Sequence, residues 1–97
     1  MILENNVESR LGREVRDAGG LCVKFLPDAM AGMPDRIVML PGGALVWVET
    51  KRPSGGVLSG LQKHRHRQLR RLGQRVVVCW SADDVDGLLD ELIPGRA

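Results

Sequence analysis

The stretch MPDRIVMLPGGALVWVETKRP, residues 33–53, contains two apolar segments separated by a Pro-Gly-Gly sequence at residues 41–43. Apolar segments on either side of such a turn predict a β-hairpin. Charged residues stand where the hairpin should be open: Asp35 precedes the first apolar segment, and Glu49 and Lys51 end the second. Charges at a strand end belong either to a solvated surface or to a chemically active site.

The spacing around the turn predicts that the two acids are neighbours. Asp35 lies seven residues before Gly42 and Glu49 lies seven residues after it, and residues equidistant from a hairpin turn face each other across the two strands. Because side chains alternate along a strand, Glu49 and Lys51 should share one face, with Cα atoms roughly 6.5–7 Å apart. The two acids and the lysine should therefore lie together at one end of the sheet.

Such a cluster suits a metal ion. Two neighbouring carboxylates repel each other unless a cation lies between them, and a hard divalent ion such as Mg²⁺ binds through one or two carboxylates together with water and phosphate oxygens. A lysine beside the ion can orient or help to deprotonate a water molecule, or stabilise charge on a phosphate. Glu49 and Lys51 alone would be explained by a surface ion pair contributing about 0–1 kcal/mol. Because Asp35 is expected opposite Glu49 across the hairpin, we favour an active site over a surface ion pair.

The segments that flank the hairpin complete a mixed α/β fold. Helical spacing of apolar residues, cap residues and Gly/Pro breaks set the expected bounds. The order of elements, α-β-β-β-α-β-α, predicts a mixed four-stranded sheet flanked by helices, in one domain over residues 1–97. We expect a helix from about Glu4 to Ala18 capped by Asn5 or Asn6, strands at 21–26, 36–40 and 44–51, a basic helix at about 59–72, a strand at 75–80 buried on both faces, and a helix that Ser81 caps and Pro94 ends.

Composition excludes several classes of protein. The N-terminus lacks the basic region and long apolar run of a signal peptide, and no segment approaches the ~20 apolar residues that a membrane span needs. We therefore expect a cytoplasmic protein with no membrane partner. Cys22 and Cys79 each lie within an apolar run and are expected to be buried free thiols rather than a disulfide. Because tyrosine is absent and Phe25 is the only phenylalanine, stacking of bases on an aromatic platform is not expected.

Charge is unevenly distributed, although the formal net charge is only +2. Residues 61–75 carry six basic side chains and two histidines with no acid, whereas residues 81–92 carry five acids. A local basic surface can attract a polyanion even when the whole protein is nearly neutral. The basic helix is either a solvated surface or a contact surface for a nucleic-acid backbone, and its position directly after the acidic site favours phosphate contacts. The candidate contact residues are Arg52, Lys63, Arg65, Arg67, Arg70 and Arg71.

The histidines of this helix also invite a metal interpretation. His64 and His66 are two residues apart, so on a helix they point to different sides and cannot chelate one ion together. We expect solvated or phosphate-facing imidazoles at both positions.

The acids and the lysine also carry a family resemblance. The Gly-Met-Pro-Asp sequence that ends at Asp35, followed by the Glu-Thr-Lys sequence at residues 49–51, is similar to the PD-(D/E)xK nuclease signature. Together with Gln62 at the start of the next helix, these residues resemble a stand-alone VRR-NUC domain, the virus-type replication-repair nuclease. The resemblance extends over nearly the whole chain, from the first helix with Glu8 to Gly73 before the last strand.

The resemblance implies a restriction-endonuclease-like core and metal-dependent hydrolysis of phosphodiester bonds in DNA with Mg²⁺ or Mn²⁺. By position, it implies that Asp35 and Glu49 are metal ligands, with the backbone carbonyl of Thr50 as a third ligand. Glu8 would be a further ligand, direct or through water. Without the resemblance, the interpretation of Glu8 as a solvated residue of the helix is nearly as good as its interpretation as a metal ligand.

The resemblance also assigns roles to Lys51 as the catalytic lysine and to Gln62, which would help to position this lysine or the attacking water. Gln62 could otherwise be an ordinary polar residue in the first helical turn. Small members of the family resemble Holliday-junction resolvases and form homodimers, so a homodimeric endonuclease for branched DNA in replication, repair or recombination is expected. A phage or prophage origin would fit this branch of the family.

Two other functions stay open. One is a non-catalytic nucleic-acid-binding domain that keeps the nuclease fold, and the other is a small α/β interaction domain whose charged strand end is incidental. A pure binder gains nothing from clustered carboxylates that face phosphate, which favours the enzyme.

Overall fold

Three helices and a four-stranded sheet make up the described part of the chain. The computed structural model describes residues 7–26 and 28–96. The predicted start of the first helix, with its asparagine cap, lies outside these residues. The elements follow the predicted order: α1 (Val7–Asp17), β1 (Leu21–Lys24), β2 (Arg36–Met39), β3 (Leu45–Thr50), α2 (Gly60–Arg71), β4 (Val76–Cys79) and α3 (Ala82–Leu92).

The sheet is mixed, as predicted. Its strand order is β1-β2-β3-β4. The first three strands form an antiparallel meander, and β4 runs parallel to β3 because α2 carries the chain back to the other end of the sheet. Strand β3 is an interior strand, with β2 on one side and β4 on the other.

The core lies between one face of the sheet and the helices α1 and α3. The strand side chains that alternate to this face, among them Val38, Val46 and Val48, are buried. Leu11 of α1 and Leu89 of α3 pack against them and are fully buried. Full burial of one large apolar side chain contributes roughly 1.5–3 kcal/mol, so this layer holds β3 firmly in place.

The opposite face of the sheet is covered only in part. Helix α2 packs along β4, and its inward-facing residues His66 and Leu69 are buried. The β1 side of this face is open, since Leu21, Val23 and Leu45 are 61%, 41% and 42% exposed. The sheet therefore has one closed face and one half-open face.

Strand β1 is shorter than predicted, whereas β4 is covered on both faces as predicted. Strand β1 ends at Lys24 rather than at residue 26, because its partner β2 begins only at Arg36. Strand β4 lies at the edge of the sheet, but α2 packs on one of its faces and α3 on the other. Val76 and Cys79, whose side chains alternate to opposite faces, are buried, and the two residues between them are half-buried, so the predicted burial on both faces is confirmed. A short apolar run indicates burial without giving the strand's place in the sheet.

The two cysteines are free thiols, as predicted. Cys79 is buried, whereas Cys22 is only half-buried. Burial raises the pKa of the Cys79 thiol to about 12, which keeps this group inert. Among the described residues, the helices are too short or too polar for any of them to span a membrane.

Candidate active site

The end of β3 and the segment before β2 meet with the register that the turn predicts. Arg36 pairs with Val48, so the hairpin is centred on Gly42. Extended by one residue on each strand, this register places Asp35 beside Glu49. The two acids that the sequence spacing puts together are therefore neighbours at the open end of the hairpin.

Asp35 is held by Thr50 and Arg36. The Thr50 N–H donates to Asp35 Oδ1 at 2.7 Å, and the Thr50 hydroxyl donates to Asp35 Oδ2 at 2.6 Å. Arg36 Nη1 donates to the same Oδ2 at 3.0 Å. About a quarter of the Asp35 side chain, 27%, stays exposed. The carboxylate is thus fixed in orientation and still partly accessible.

Glu49 is the buried acid of the site, since only 5% of its side chain is exposed. Its Oε2 accepts a hydrogen bond from Gln62 Nε2 at 3.3 Å and lies 3.9 Å from Lys51 Nζ. Its Oε1 is buried and has no hydrogen-bond partner within the described ranges. Burial and, to a smaller extent, the negative charge of Asp35 raise the pKa of Glu49 to about 7. A cation bound beside this carboxyl would favour its ionised form.

Gln62 joins the lysine, the buried acid and the start of α2. Its Oε1 accepts hydrogen bonds from Lys51 Nζ at 3.0 Å and from the Ser59 N–H at 2.9 Å, while its Nε2 donates to Glu49. The Gln62 N–H in turn donates to Ser59 Oγ at 3.0 Å, which completes a capping box at the start of the helix. The two interpretations of Gln62, helix-capping residue and site residue, are therefore compatible.

His66 lies in the site, contrary to the expectation of a solvated or phosphate-facing imidazole. It is 1% exposed, and its Nε2 is 3.5 Å from Glu49 Oε1. Burial and the nearby charge of Arg70 lower the pKa of His66. The signal that would have located it is its spacing of four residues from Gln62, which puts both side chains on one face of the helix. His64, two residues earlier, is exposed as expected.

Glu8 reaches the site through an arginine. Arg36 Nη2 lies 3.0 Å from Glu8 Oε1, while its Nη1 contacts Asp35. The Arg36 side chain is only 11% exposed, whereas that of Glu8 is 57% exposed. A guanidinium thus bridges the two acids in this structure, and sequence reasoning gave no indication of it beyond the adjacency of Arg36 to Asp35.

The glycine before Asp35 is required by packing and by its conformation. Gly32 has φ +85°, and a Cβ at this position would lie 2.7 Å from Leu61 Cγ and 2.9 Å from Arg65 Cγ. Only glycine adopts this backbone conformation without strain and leaves this space. Arg65 Nε also donates to the Ala31 carbonyl at 3.0 Å. The loop that leads to Asp35 is therefore seated directly on α2.

The six predicted DNA-contact residues fall into two groups. Arg65 donates to Ala31 and, at 2.9 Å, to Gln68, and Arg70 donates to the Val76 carbonyl at 3.0 Å. These two arginines hold parts of the fold together. The other four are exposed and have no side-chain hydrogen bond or ion pair within the described residues: Arg52 and, at intervals of four residues along one side of α2, Lys63, Arg67 and Arg71.

The oxygen atoms at this end of the sheet are of the type that binds a divalent cation such as Mg²⁺. Asp35 and Glu49 supply two carboxylates, and Glu49 Oε1 is a buried oxygen without a hydrogen-bond partner in the described part of the chain. Across residues 7–26 and 28–96, no three His, Cys, Asp or Glu side chains form a ready-made metal cluster. Mg²⁺ characteristically takes one or two carboxylates and completes its coordination with water and substrate oxygens. Two carboxylates would leave most coordination positions of such an ion to water and other ligands.

Comparison with known proteins agrees with this geometry. "Putative nuclease p44" of Acyrthosiphon pisum secondary endosymbiont phage 1 is 40% identical over 83 residues, which cover 86% of this chain and 88% of the phage protein. A solved structure described as a VRR_NUC domain matches with a TM-score of 0.78 and 29% identity, over 86% of this chain and 89% of that one. No protein-family model matches the chain. On the extent of these two likenesses, the chain belongs to the VRR-NUC family of nuclease domains within the PD-(D/E)xK superfamily.

Proposed function

We propose that this nuclease is a divalent-metal-dependent endonuclease that hydrolyses phosphodiester bonds in DNA. The observation that carries the proposal is the cluster at the end of β3. Gln62 is hydrogen-bonded to both Glu49 and Lys51, and Asp35 is fixed beside them on Thr50. Two carboxylates and an ammonium held at one accessible sheet end are the groups that such hydrolysis needs.

Mg²⁺ or Mn²⁺ is the proposed cofactor. Asp35 and Glu49 would hold it, with the backbone carbonyl of Thr50, and with Glu8 directly or through water. When bound, the ion supplies an acidified water and offsets negative charge on the scissile phosphate. Arg36 bridges Asp35 and Glu8, so it reduces the repulsion between these acids and holds them in position.

Lys51 is the proposed catalytic lysine. Its ammonium donates to Gln62 Oε1, which restricts the long side chain to one place, and it can there orient the attacking water or stabilise charge on the phosphate. Because Gln62 also caps α2 through Ser59, the start of the helix fixes the position of the lysine. Prepositioning of this kind lowers the cost of organising the site during reaction.

DNA is the proposed substrate, bound through its backbone. The exposed residues Arg52, Lys63, Arg67 and Arg71 lie on α2 and the loop before it, directly after the site in the chain. Contacts with phosphates position a duplex or a junction without reading its sequence. We infer a preference for branched DNA, in replication, repair or recombination, from the family resemblance. The phage relative supports a phage or prophage origin, and we place the protein in the cytoplasm as one domain over residues 1–97.

A homodimer is a further part of the proposal. The half-open face of the sheet exposes Leu21, Val23 and Leu45, and a second copy can cover this patch with the same patch of its own in a two-fold contact. Sedimentation equilibrium should give a dimer for the wild type and a monomer for Val23→Glu. Val57→Glu, at an exposed position in the loop before α2, should remain dimeric, and a monomeric wild type would contradict the proposal.

The nuclease proposal is tested with labelled four-way junctions, flaps, nicked duplexes and plain duplexes incubated with Mg²⁺ or Mn²⁺. We expect cleavage by the wild type, at the highest rate on a branched substrate. Lys51→Ala should abolish cleavage and leave DNA binding largely intact, because the lysine acts on the reacting groups rather than on the backbone. Wild-type rates for Lys51→Ala would rule out the mechanism. DNA binding without cleavage by the wild type, and without Mn²⁺ binding in calorimetry, would favour the non-catalytic alternative.

A further inference from the structure

Two buried polar atoms face each other beneath the site. Glu49 Oε1 and His66 Nε2 are 3.5 Å apart, on side chains that are 5% and 2% exposed. Neither atom has a hydrogen-bond partner within the described ranges. Buried polar atoms are almost always hydrogen-bonded, because an unpaired one has lost its hydrogen bonds to water without replacing them. The pair therefore calls for a physical explanation.

The distance between the two atoms, 3.5 Å, favours a direct hydrogen bond over a bridging water. Two groups joined by one water lie roughly 4.5–5 Å apart, since each hydrogen bond spans about 2.8 Å. A direct N–H···O hydrogen bond, at about 2.9 Å, needs a shift of only about half an ångström from the observed separation. A neutral imidazole can carry its proton on Nε2, so Glu49 Oε1 is the acceptor that the geometry offers to His66.

Helix α2 contacts both oxygens of the buried acid. Gln62, in its first turn, donates to Glu49 Oε2, and His66, one turn later, faces Oε1. Each carboxylate oxygen has two lone pairs, so hydrogen bonds from both residues leave lone pairs free for a cation. Two donors one helical turn apart thus define the rotation of the carboxylate about its own axis.

We propose that His66 is a positioning residue for Glu49, donating a hydrogen bond from Nε2–H to Oε1 and so fixing the orientation in which the carboxylate binds the catalytic cation. The metal-binding part of this inference rests on the proposed nuclease function, whereas the hydrogen bond itself does not. His66 touches neither substrate nor metal and acts only through Glu49. Hydrogen-bond partners of metal ligands typically contribute about 10- to 100-fold to metal affinity.

Two measurements test the inference. The first is a long-range ¹H–¹⁵N spectrum of the histidine rings in EDTA, recorded well above pH 7, where Glu49 is ionised and accepts hydrogen bonds. It requires no metal or activity. We expect the Nε2-protonated tautomer for His66, with an imidazole signal that moves in Glu49→Gln, while the signal of exposed His64 stays in place. An Nδ1-protonated ring, or a His66 signal unaffected by Glu49→Gln, would overturn the hydrogen bond.

The second measurement is calorimetric titration with Mn²⁺ of wild type, His66→Leu, His66→Gln and the matched control His64→Leu on the same helix. We expect His66→Leu to bind Mn²⁺ about 10- to 100-fold more weakly, His66→Gln to recover most of the affinity because its amide restores an N–H donor, and His64→Leu to bind as the wild type does. Circular dichroism and thermal melting confirm that each variant is folded.

The outcomes separate the inference from the proposed function. Equal affinities for folded His66→Leu and wild type would overturn the positioning role, as would a His66→Gln variant no better than His66→Leu. A wild type that binds Zn²⁺ tightly, with the site lost in both His66 variants, would make His66 a direct ligand and also overturn it. Absence of Mn²⁺ binding and of cleavage in the wild type would count against the nuclease proposal, and the tautomer spectrum would then still decide the His66–Glu49 hydrogen bond.

Discussion

Two clusters of charged side chains in this protein differ in how their carboxylates are compensated. In the first, between α1 and α3, Arg96 pairs with Glu14, Asp86 and Asp90, and Arg10 also pairs with Asp86. Every carboxylate in this ion-pair network has an arginine beside it, and the hydrogen bond from Arg10 is the main reason that the pKa of Asp86 is lowered. The network compensates the charge of two of the five acids in residues 81–92, Asp86 and Asp90.

In the second cluster, at the end of β3, burial dominates. Glu49 has a lysine only at 3.9 Å, one oxygen without a hydrogen-bond partner in the described part of the chain, and a pKa raised to about 7. Solvated ion pairs contribute little to stability, whereas a buried acid without a close cation is destabilising when ionised. Carboxyl groups kept in such surroundings are typical of functional sites. The amount of charge in a segment therefore says less about function than how that charge is compensated.

The same acid-to-amide change should abolish most of the cleavage activity in one cluster and leave it unchanged in the other. We expect Glu49→Gln to lower the cleavage rate by at least about 100-fold. Loss of a hydrogen-bond partner of a metal ligand typically lowers metal affinity or activity by about 10- to 100-fold, and loss of the ligand itself should have a larger effect. Asp86→Asn should cleave DNA as the wild type does. Single-turnover cleavage at saturating DNA, with folding checked by circular dichroism, measures both. A strong loss of cleavage in folded Asp86→Asn would contradict the claim that only the cluster at the end of β3 takes part in cleavage.

The unfolding free energy should depend on pH through the raised pKa of Glu49. The pKa of Glu49 rises from an ordinary value of 4.5 to about 7 on folding, so the folded state binds this proton more tightly than the unfolded state does. Its contribution to stability is therefore complete below about pH 4.5 and is lost as the pH rises through 7. Relative to Glu49→Gln, the metal-free wild type should lose roughly 1–3 kcal/mol of unfolding free energy between pH 5 and 8.

Urea unfolding in EDTA at several pH values measures this difference. Because both variants share the other titrating groups, including those of the ion-pair network, these groups cancel in the comparison. A difference between wild type and Glu49→Gln that stays constant from pH 5 to 8 would show that Glu49 is not held in a raised-pKa environment.

The salt dependence of DNA binding should separate free from compensated arginines. Arg67 is exposed on α2, whereas Arg75 forms two hydrogen bonds with Glu91 at 2.7 and 2.8 Å. Each phosphate contact contributes about 0.9 to the slope of log affinity against log salt concentration. Arg67→Gln should therefore reduce this slope by about 1, and Arg75→Gln should leave it nearly unchanged. Fluorescence anisotropy over a range of salt concentrations checks both, and equal slopes for Arg67→Gln and the wild type would remove Arg67 from the binding surface.

Much of the site follows from local rules that the sequence obeys. The turn at residues 41–43 sets the hairpin register, and this register brings Asp35 beside Glu49. Strand alternation puts Lys51 on the side of Glu49, where their charged groups lie 3.9 Å apart. Register and alternation depend on short-range backbone geometry, which is why the order of the elements and the acidic pair could be predicted.

Only the tertiary structure decided what surrounds these groups. Periodicity shows which residues share a face of α2 but not which element that face meets, so the burial of His66 against Glu49 and the second contact of Gln62 with Lys51 could not be derived from spacing alone. The bridge from Arg36 to Glu8 and the edge position of β4 also depend on how distant segments pack. The sequence by itself determined which charged groups meet at the sheet end, and the docking of α2 on the sheet decided how they are buried, oriented and paired, because that docking joins residues far apart in the chain.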